Sequence, residues 1–351
     1  MSLGIMKKLL LAILATTALA ACSDHTIDAT PNVAIEFGDL KTRAVNDVSD
    51  IDSFKVCALM NCGPIDPAND DSFKYVTLLD NEIVTATNEV DANNNRIWSY
   101  NNTRYWVNDR IFYFYALHID PADDSKKVQI VDNSSSNSFP AFNLSFSTPV
   151  EAQTDILTAS SKRVVYKEAE NYPPVDLAFQ HKLTWINLKI CKDKTAMEEN
   201  TLVVVTKVSV EGIAKDGTLV AEYDGTSNDI SEKWNRVGSE TLSYTSEYTD
   251  ESGSVDTQDF IYPLGVNGKY FIPQDISANQ IRISLSWKID YNSQGNWKTK
   301  DTEIYIPAGE WKIGQKITYT LALSEVNEII IGKPTVESWG EPQSGGTIII
   351  K

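Results

Sequence analysis

From Ile281 to Lys288 the chain alternates apolar and polar residues at every step. Ile281, Ile283, Leu285 and Trp287 stand against Arg282, Ser284, Ser286 and Lys288. Side chains of an extended strand point to opposite faces in turn, so this pattern puts one face on a core and the other in water. A helix, with its 3.6-residue period, cannot satisfy it. The same alternation returns at Ile317, Tyr319, Leu321 and Leu323 against Thr318, Thr320, Ala322 and Ser324. Ile111 to Leu117 and Leu202 to Val210 are rich in β-branched or aromatic residues. Turn signals punctuate the chain at Asn61-Cys62-Gly63-Pro64, Asp216-Gly217, Asp224-Gly225, Asn267-Gly268 and Ser344-Gly345-Gly346. Only short pieces such as 195–200 have helical character. The pattern predicts an all-β protein built of sandwiches or barrels. At 351 residues, two domains are expected. The polar stretch from Lys192 to Asn200 is the preferred linker, with Glu168 to Pro174 as the competing boundary.

The charge balance narrows the partners. The formal net charge is −17, a surface that repels phosphate backbones, so nucleic-acid binding is disfavoured. Four cysteines, at 22, 57, 62 and 191, are too few for a disulfide scaffold. Cys57 and Cys62 are close enough in sequence to close a small loop, but spacing does not decide it. Cys57 and Cys191 read as buried free thiols.

The N-terminus carries a targeting signal. Lys7 and Lys8 precede the apolar run Leu9 to Leu14, and small residues follow to Leu19-Ala20-Ala21-Cys22. This is the layout of a secretory signal peptide, covering residues 1–22, and the run is too short to span a bilayer stably. Leu-Ala-Ala-Cys resembles the lipobox of bacterial lipoproteins, which implies a diacylglycerol on the Cys22 thiol. After a polar tether, Val33, Ile35 and Phe37 share one face of a half-buried strand, which Gly38-Asp39 ends.

Residues that carry chemistry are scarce. His25, His118 and His181 lack metal-ligand spacing, and no nucleophile elbow, P-loop, dinucleotide fingerprint or HExxH occurs. Asp91-Ala92-Asn93-Asn94-Asn95 begins like a calcium loop, but Arg96 replaces the needed glycine and Asn102 the closing glutamate. Asp120, Asp123, Asp124, Asp250 and Glu251 fall in polar, turn-like runs. Neither a metal, a cofactor nor an enzymatic activity is expected. Trp287, Trp297 and Trp311 are the candidates for a sugar-stacking platform, although aromatics in strands are more often core.

A set of motifs, in order, carries a resemblance. Ile35-Glu36-Phe37 and Thr42-Arg43-Ala44 follow the lipobox. Asp155-Ile156-Leu157-Thr158-Ala159 and Val175 to Leu183 come next. Ile306-Pro307-Ala308-Gly309-Glu310-Trp311, Gly314 to Leu321 and Val336-Glu337-Ser338-Trp339 close the series. Together they resemble the fimbrillin family (type V pilins), including its Mfa-like lipoprotein branch. The resemblance implies two transthyretin-like β-sandwich domains in tandem, over residues 44–195 and 196–351, after a removable segment at 23–43. It implies a lipidated precursor at the outer membrane, cut between Arg43 and Ala44 by an arginine-specific protease. The strand of Val33, Ile35 and Phe37 would leave, and a strand from the next subunit would fill its groove. Ile348, Ile349 and Ile350, beyond the Ser344-Gly345-Gly346 hinge, are the donor candidates. The tail after Trp339 is shorter than the two-stranded extension of stalk subunits in this family, which leaves stalk, tip and anchor roles open, with stalk or tip favoured by the cleavage match. Partners would be other fimbrial subunits, the outer membrane through the lipid, and a host or bacterial surface ligand. The competing expectation is a surface-exposed carbohydrate-binding lipoprotein.

Overall fold

The computed structural model describes residues 33–38, 40–42, 51–62, 74–91, 96–120, 122–123, 125–131, 139–148, 154–165, 172, 174–193, 197–223, 230–257, 259–324 and 329–338. Among the described residues there is no α-helix, and Tyr291–Ser293 forms a 3-10 turn. The strands, in chain order, begin with β1 (Lys41–Thr42), β2 (Ser53–Asn61), β3 (Tyr75–Val90), β4 (Arg96–Ser99), β5 (Arg110–Asp120), β6 (Gln129–Val131) and β7 (Ala141–Ser147). They continue with β8 (Asp155–Val165), β9 (Ala178–His181), β10 (Thr184–Lys192), β11 (Leu202–Tyr223), β12 (Ile230–Glu247), β13 (Ser254–Val255) and β14 (Lys269–Phe271). The last are β15 (Gln274–Ile276), β16 (Arg282–Asp290), β17 (Lys298–Tyr305), β18 (Gly309–Trp311), β19 (Gln315–Leu323), β20 (Ile329–Ile331) and β21 (Thr335–Ser338).

The first sheet has seven strands in the order β1-β9-β8-β5-β2-β3-β4. The second runs β17-β16-β11-β7-β6, with β12 and β13 also on β11. Val208 pairs with Leu285 of β16 and with Ser246 of β12, so those two strands lie on opposite edges of β11. The third sheet runs β14-β10-β19, and both β20 and β21 pair with β19. Its β10 and β19 are parallel, from Trp185↔Lys316 to Lys192↔Leu323. A pair of short strands, β15 and β18, completes the set.

Three apolar cores result. One lies between the second and third sheets. There Ile281, Ile283, Leu285 and Trp287 of the β16 segment meet Ile317, Tyr319, Leu321 and Leu323 of β19, all buried as their alternation requires. The other two lie on opposite faces of the first sheet. Phe54, Val56, Ala58 and Met60 of β2, with Phe112, Phe114 and Ala116 of β5, face one of them. Cys57 and Leu59, with Tyr113, Tyr115 and Leu117, face the other. Both faces of β2 and β5 are therefore apolar, and their sequences read as runs rather than alternations.

Strand β11 joins the cores. Val203, Val205, Val208 and Val210 in its first half pack in the core against β19. Leu219, Ala221 and Tyr223 in its second half pack against the first sheet, together with Phe142, Leu144 and Phe146 of β7. That core is thus built from residues on both sides of position 195. Register shifts at Glu211/Ile213 and Ala214/Asp216 mark the change. Gly212 sits there at φ +93°, with the Gln280 carbonyl oxygen only 2.1 Å from where a Cβ would stand, so no other residue fits without backbone movement. The polar stretch expected to be a linker is tied in where it is described. Buried Lys192 donates to the carbonyls of Glu199 (3.1 Å) and Thr201 (2.9 Å), and Asp193 N donates to Leu323 O (2.9 Å). Cys57 and Cys191 are free, buried thiols, so Cys57 closes no loop to Cys62.

Candidate functional site: the seat of the N-terminal strand

Residues 33–38 lie as an extended segment in the core that holds Phe54 and Phe114 on one face of the first sheet, held by isolated bridges at Ala34 and Phe37. Val33 is half-buried, Ile35 is 1% exposed, Phe37 is 5% exposed, and Glu36 between them faces water. The two buried side chains belong to the core formed by Phe54, Phe114, Trp106, Val175 and Leu177. Phe37 is held edge-on by three rings: Phe54 at 5.7 Å, Tyr100 at 5.6 Å and Phe114 at 6.3 Å between centroids. Edge-to-face packing places the positive rim of one ring on the negative face of another, so this site favours an aromatic occupant beyond its apolar area.

The backbone of the segment is bonded on both sides. Toward residues 104–106 the pairing is antiparallel. Ile35 N donates to Arg104 O (2.8 Å) and Trp106 N donates to Val33 O (3.0 Å). Toward Val175 it is parallel. Val175 N donates to Glu36 O (2.7 Å) and Gly38 N donates to Val175 O (3.0 Å). β1 continues this alongside β9, with Lys41 opposite Ala178 and Thr42 opposite Phe179. The Tyr100 hydroxyl donates to Ile35 O (2.8 Å) and accepts from Arg104 N (3.1 Å). Burial pushes the Tyr100 hydroxyl above its ordinary pKa, against the lowering effect of the Arg104 amide, so it stays a donor at neutral pH. At Gly38 a Cβ would stand 3.1 Å from Asp176 Oδ1, the end of an exposed side chain, and 3.4 Å from Pro174 Cβ, so a larger residue there needs only a small shift of Asp176.

Withdrawing this segment would uncover the amides of Trp106 and Val175, the carbonyls of Arg104 and Val175, and the apolar seat of Ile35 and Phe37. Buried backbone groups without partners are costly, and an open edge beside an apolar slot is a template for another strand. The arrangement does no covalent chemistry; it binds an extended chain.

The other candidates fall elsewhere. Cys22, Arg43, Ala44, Ile348, Ile349 and Ile350 lie outside the described residues, as does His25. The tryptophans do not assemble into a sugar platform. Trp287 and Trp311 are 0% and 1% exposed, and Trp311 Nε1 donates to the Tyr319 hydroxyl inside the core (2.9 Å). Trp297 alone of the three is open, with Lys288 Nζ 4.8 Å from its ring. Trp287 lies on the core-facing side of β16 and Trp311 ends β18, and both belong to the core between the second and third sheets, which is why they are lost to solvent. Asp123 caps Ser125, whose hydrogen bonds lower its pKa, and Asp250 pairs with Lys288 at 2.6 Å. His118 Nδ1 lies 2.8 Å from Ser53 O, and His181 Nδ1 lies 2.6 Å from Asp155 Oδ2. Among the described residues, no group of three or more His, Cys, Asp or Glu side chains is placed to hold a metal, and no helix is long and apolar enough to cross a membrane.

Sequence reading missed the walls of the seat, Tyr100, Trp106 and Val175, because nothing local marks their contact with residues 33–37. It also missed a buried polar cluster behind the first sheet. Lys182 Nζ lies 2.6 Å from Glu232 Oε2, and Glu232 Oε1 accepts from the Tyr115 (2.8 Å) and Thr158 (2.7 Å) hydroxyls. Tyr115 is held protonated, first by burial and then by the adjacent Glu232 carboxylate.

Comparison with known proteins now adds to this geometry. The profile of fimbrillin-like proteins matches residues 42–339. The crystal structure of a fimbrial protein from Bacteroides vulgatus ATCC 8482 is similar in fold. Its TM-score is 0.57 at 19% identity, over 87% of this chain and 99% of that one. A fimbrial assembly protein from Parabacteroides distasonis ATCC 8503 aligns with a TM-score of 0.42 at 12% identity, over 91% of this chain and 100% of that one. No curated protein matches the sequence.

Proposed function

The chain belongs to the fimbrillin-like family, and from that premise we propose that it is a structural subunit of a cell-surface fimbria, in a stalk or tip position, assembled by protease-triggered strand exchange. The observation that carries the reading is the seat of Ile35 and Phe37, where a terminal segment fills the core and is paired on both sides. In the precursor the chain is its own plug. Burying each of those two side chains contributes roughly 1.5–3 kcal/mol, which keeps the uncut form monomeric. A cut between Arg43 and Ala44 separates the plug from the body, and a partner strand then gains the same contacts.

In this reading residues 1–22 are the signal peptide and Cys22 carries the lipid that holds the precursor at the outer membrane. Residues 23–43 are the removable piece. Residues 44–195 and 196–351 supply the two sandwiches, with β10 of the first part paired to β19 of the second, and β11 of the second part paired to β7 of the first. The role is structural rather than enzymatic. The carbohydrate-binding alternative loses its main support with the burial of Trp287 and Trp311.

Mass spectrometry of the N-terminus of fimbriae sheared from cells tests the reading. Material beginning at Ala44 is expected. Sheared, assembled material that still begins at lipidated Cys22 would refute the exchange.

A further inference from the structure

The seat of residues 33–42 also says which strand can replace them, an inference that rests on the strand-exchange reading above. The seat asks for a specific order of side chains: an aliphatic residue at the Ile35 position, a solvated residue next, and an aromatic at the Phe37 position. The chain's own candidate donor is Gly346-Thr347-Ile348-Ile349-Ile350-Lys351. Ile348 and Ile350 are its apolar pair two residues apart, as the seat demands.

Laid in the direction of residues 33–38, Ile348 takes the Ile35 site and Ile350 takes the ring cage. Gly346 replaces half-buried Val33, Ile349 stands in water where Glu36 stood, and Lys351 replaces Gly38. Run the opposite way, Ile350 takes the Ile35 site and Ile348 takes the ring cage. An isoleucine falls among Phe54, Tyr100 and Phe114 in either direction. It forfeits three edge-to-face contacts, each favourable beyond the burial of area, and leaves part of the cage unfilled. Ile329 and Ile331, the other isoleucines two apart near that end, present the same mismatch and are already paired with β19.

We infer that the donor strand for this chain is a strand of a fimbrial subunit that carries an aliphatic residue and an aromatic residue two positions apart, and not residues 346–351 of a second copy of this chain.

Peptide competition on the full-length chain, cut once after Arg43, tests this. The cut is made by low-dose trypsin or, if trypsin prefers another bond, by a site-specific protease whose recognition sequence is inserted after Arg43. A labelled peptide of residues 31–42 is the tracer. The competitors are unlabelled 31–42, the same peptide with Phe37→Ile, the tail 344–351, and the tail with Ile350→Phe. Ile350→Phe is expected to improve the tail at least tenfold, and Phe37→Ile to weaken the 31–42 peptide at least tenfold. A natural tail that competes as well as its Ile350→Phe variant, while unlabelled 31–42 also competes, overturns the choice of partner and leaves strand exchange standing. A tracer that never enters the cut chain overturns both.

Discussion

Replacing Phe37 by alanine isolates the contribution of the inserted strand to the whole molecule. The ring is 5% exposed and touches three other rings. Its removal loses the transfer energy of the ring and leaves a cavity walled by Phe54, Tyr100 and Phe114, which do not collapse freely because each is fixed by β-sheet or by its own hydrogen bonds. Phe→Ala changes at such sites cost about 3–5 kcal/mol. That lowers the folded-to-unfolded ratio by roughly two to four orders of magnitude, from a typical total stability of only about 5–15 kcal/mol. Glu36→Ala is the control, since Glu36 faces water, and surface changes of this kind stay within about 0.5 kcal/mol. Urea unfolding of the uncut chain, followed by far-ultraviolet circular dichroism and by tryptophan fluorescence, gives both values. Coincident midpoints from the two probes show that the strand and the core unfold together. If Phe37→Ala shifts the midpoint no more than Glu36→Ala, the segment undocks without disturbing the core. The plug argument then fails.

Four further outcomes can be checked. Glu232→Gln should destabilise the uncut chain by about 3–5 kcal/mol, because it removes the charge that pairs the buried Lys182 ammonium, whereas Lys182→Met with Glu232→Leu should be less damaging in the same urea assay, its remaining loss coming from the Tyr115 and Thr158 hydroxyls left without their acceptor. Burial pushes the Cys57 thiol up to about 12, so iodoacetamide at pH 8 should label it only after unfolding, as peptide mass mapping will show. Burial also raises the hydroxyls of Tyr113, Tyr223 and Tyr244, the last to about 12. An unfolded tyrosine ionises near pH 10 while these stay protonated, so stability is whole below pH 10 and is lost as pH rises above it; the urea midpoint should fall steadily from pH 10 upward, and a flat profile would contradict the burial. Cys22→Ala should abolish membrane retention of the precursor, which fractionation with detergent phase partitioning reads directly.

What could be read in the sequence was whatever one strand declares by itself. Ile281 to Trp287 and Ile317 to Leu323 each have one face on a core, so alternation named their inward residues without any knowledge of partners. Val33, Ile35 and Phe37 share that property, which made them visible as a strand. β2 and β5 are covered on both faces and lost the alternation; their runs Val56 to Met60 and Phe112 to Leu117 revealed burial but not which side chain met which core. Pairing was harder still. β10 meets β19 across more than a hundred residues, and residues 104–106 and 175 meet the inserted strand. Such contacts are set by the global fold and leave no local mark. The polar run at 192–200 misled for a related reason: Lys192 is buried because two backbone carbonyls satisfy its ammonium, a compensation that residue type alone does not reveal.

Strand β11 has a mechanical consequence. Twenty-two residues of extended chain span about 70 Å at roughly 3.3 Å each, and this strand enters one core at Val203 and leaves another at Tyr223. A pull along the subunit passes through covalent backbone from core to core, with no loop in series to stretch first. Its neighbours β16, β7 and β12 run alongside it, so drawing β11 out must break many ladder hydrogen bonds together, in shear, rather than one at a time. Under load the subunit should therefore lengthen in a single abrupt event, and a glycine-linker insertion near Gly212 should split that event into two smaller ones.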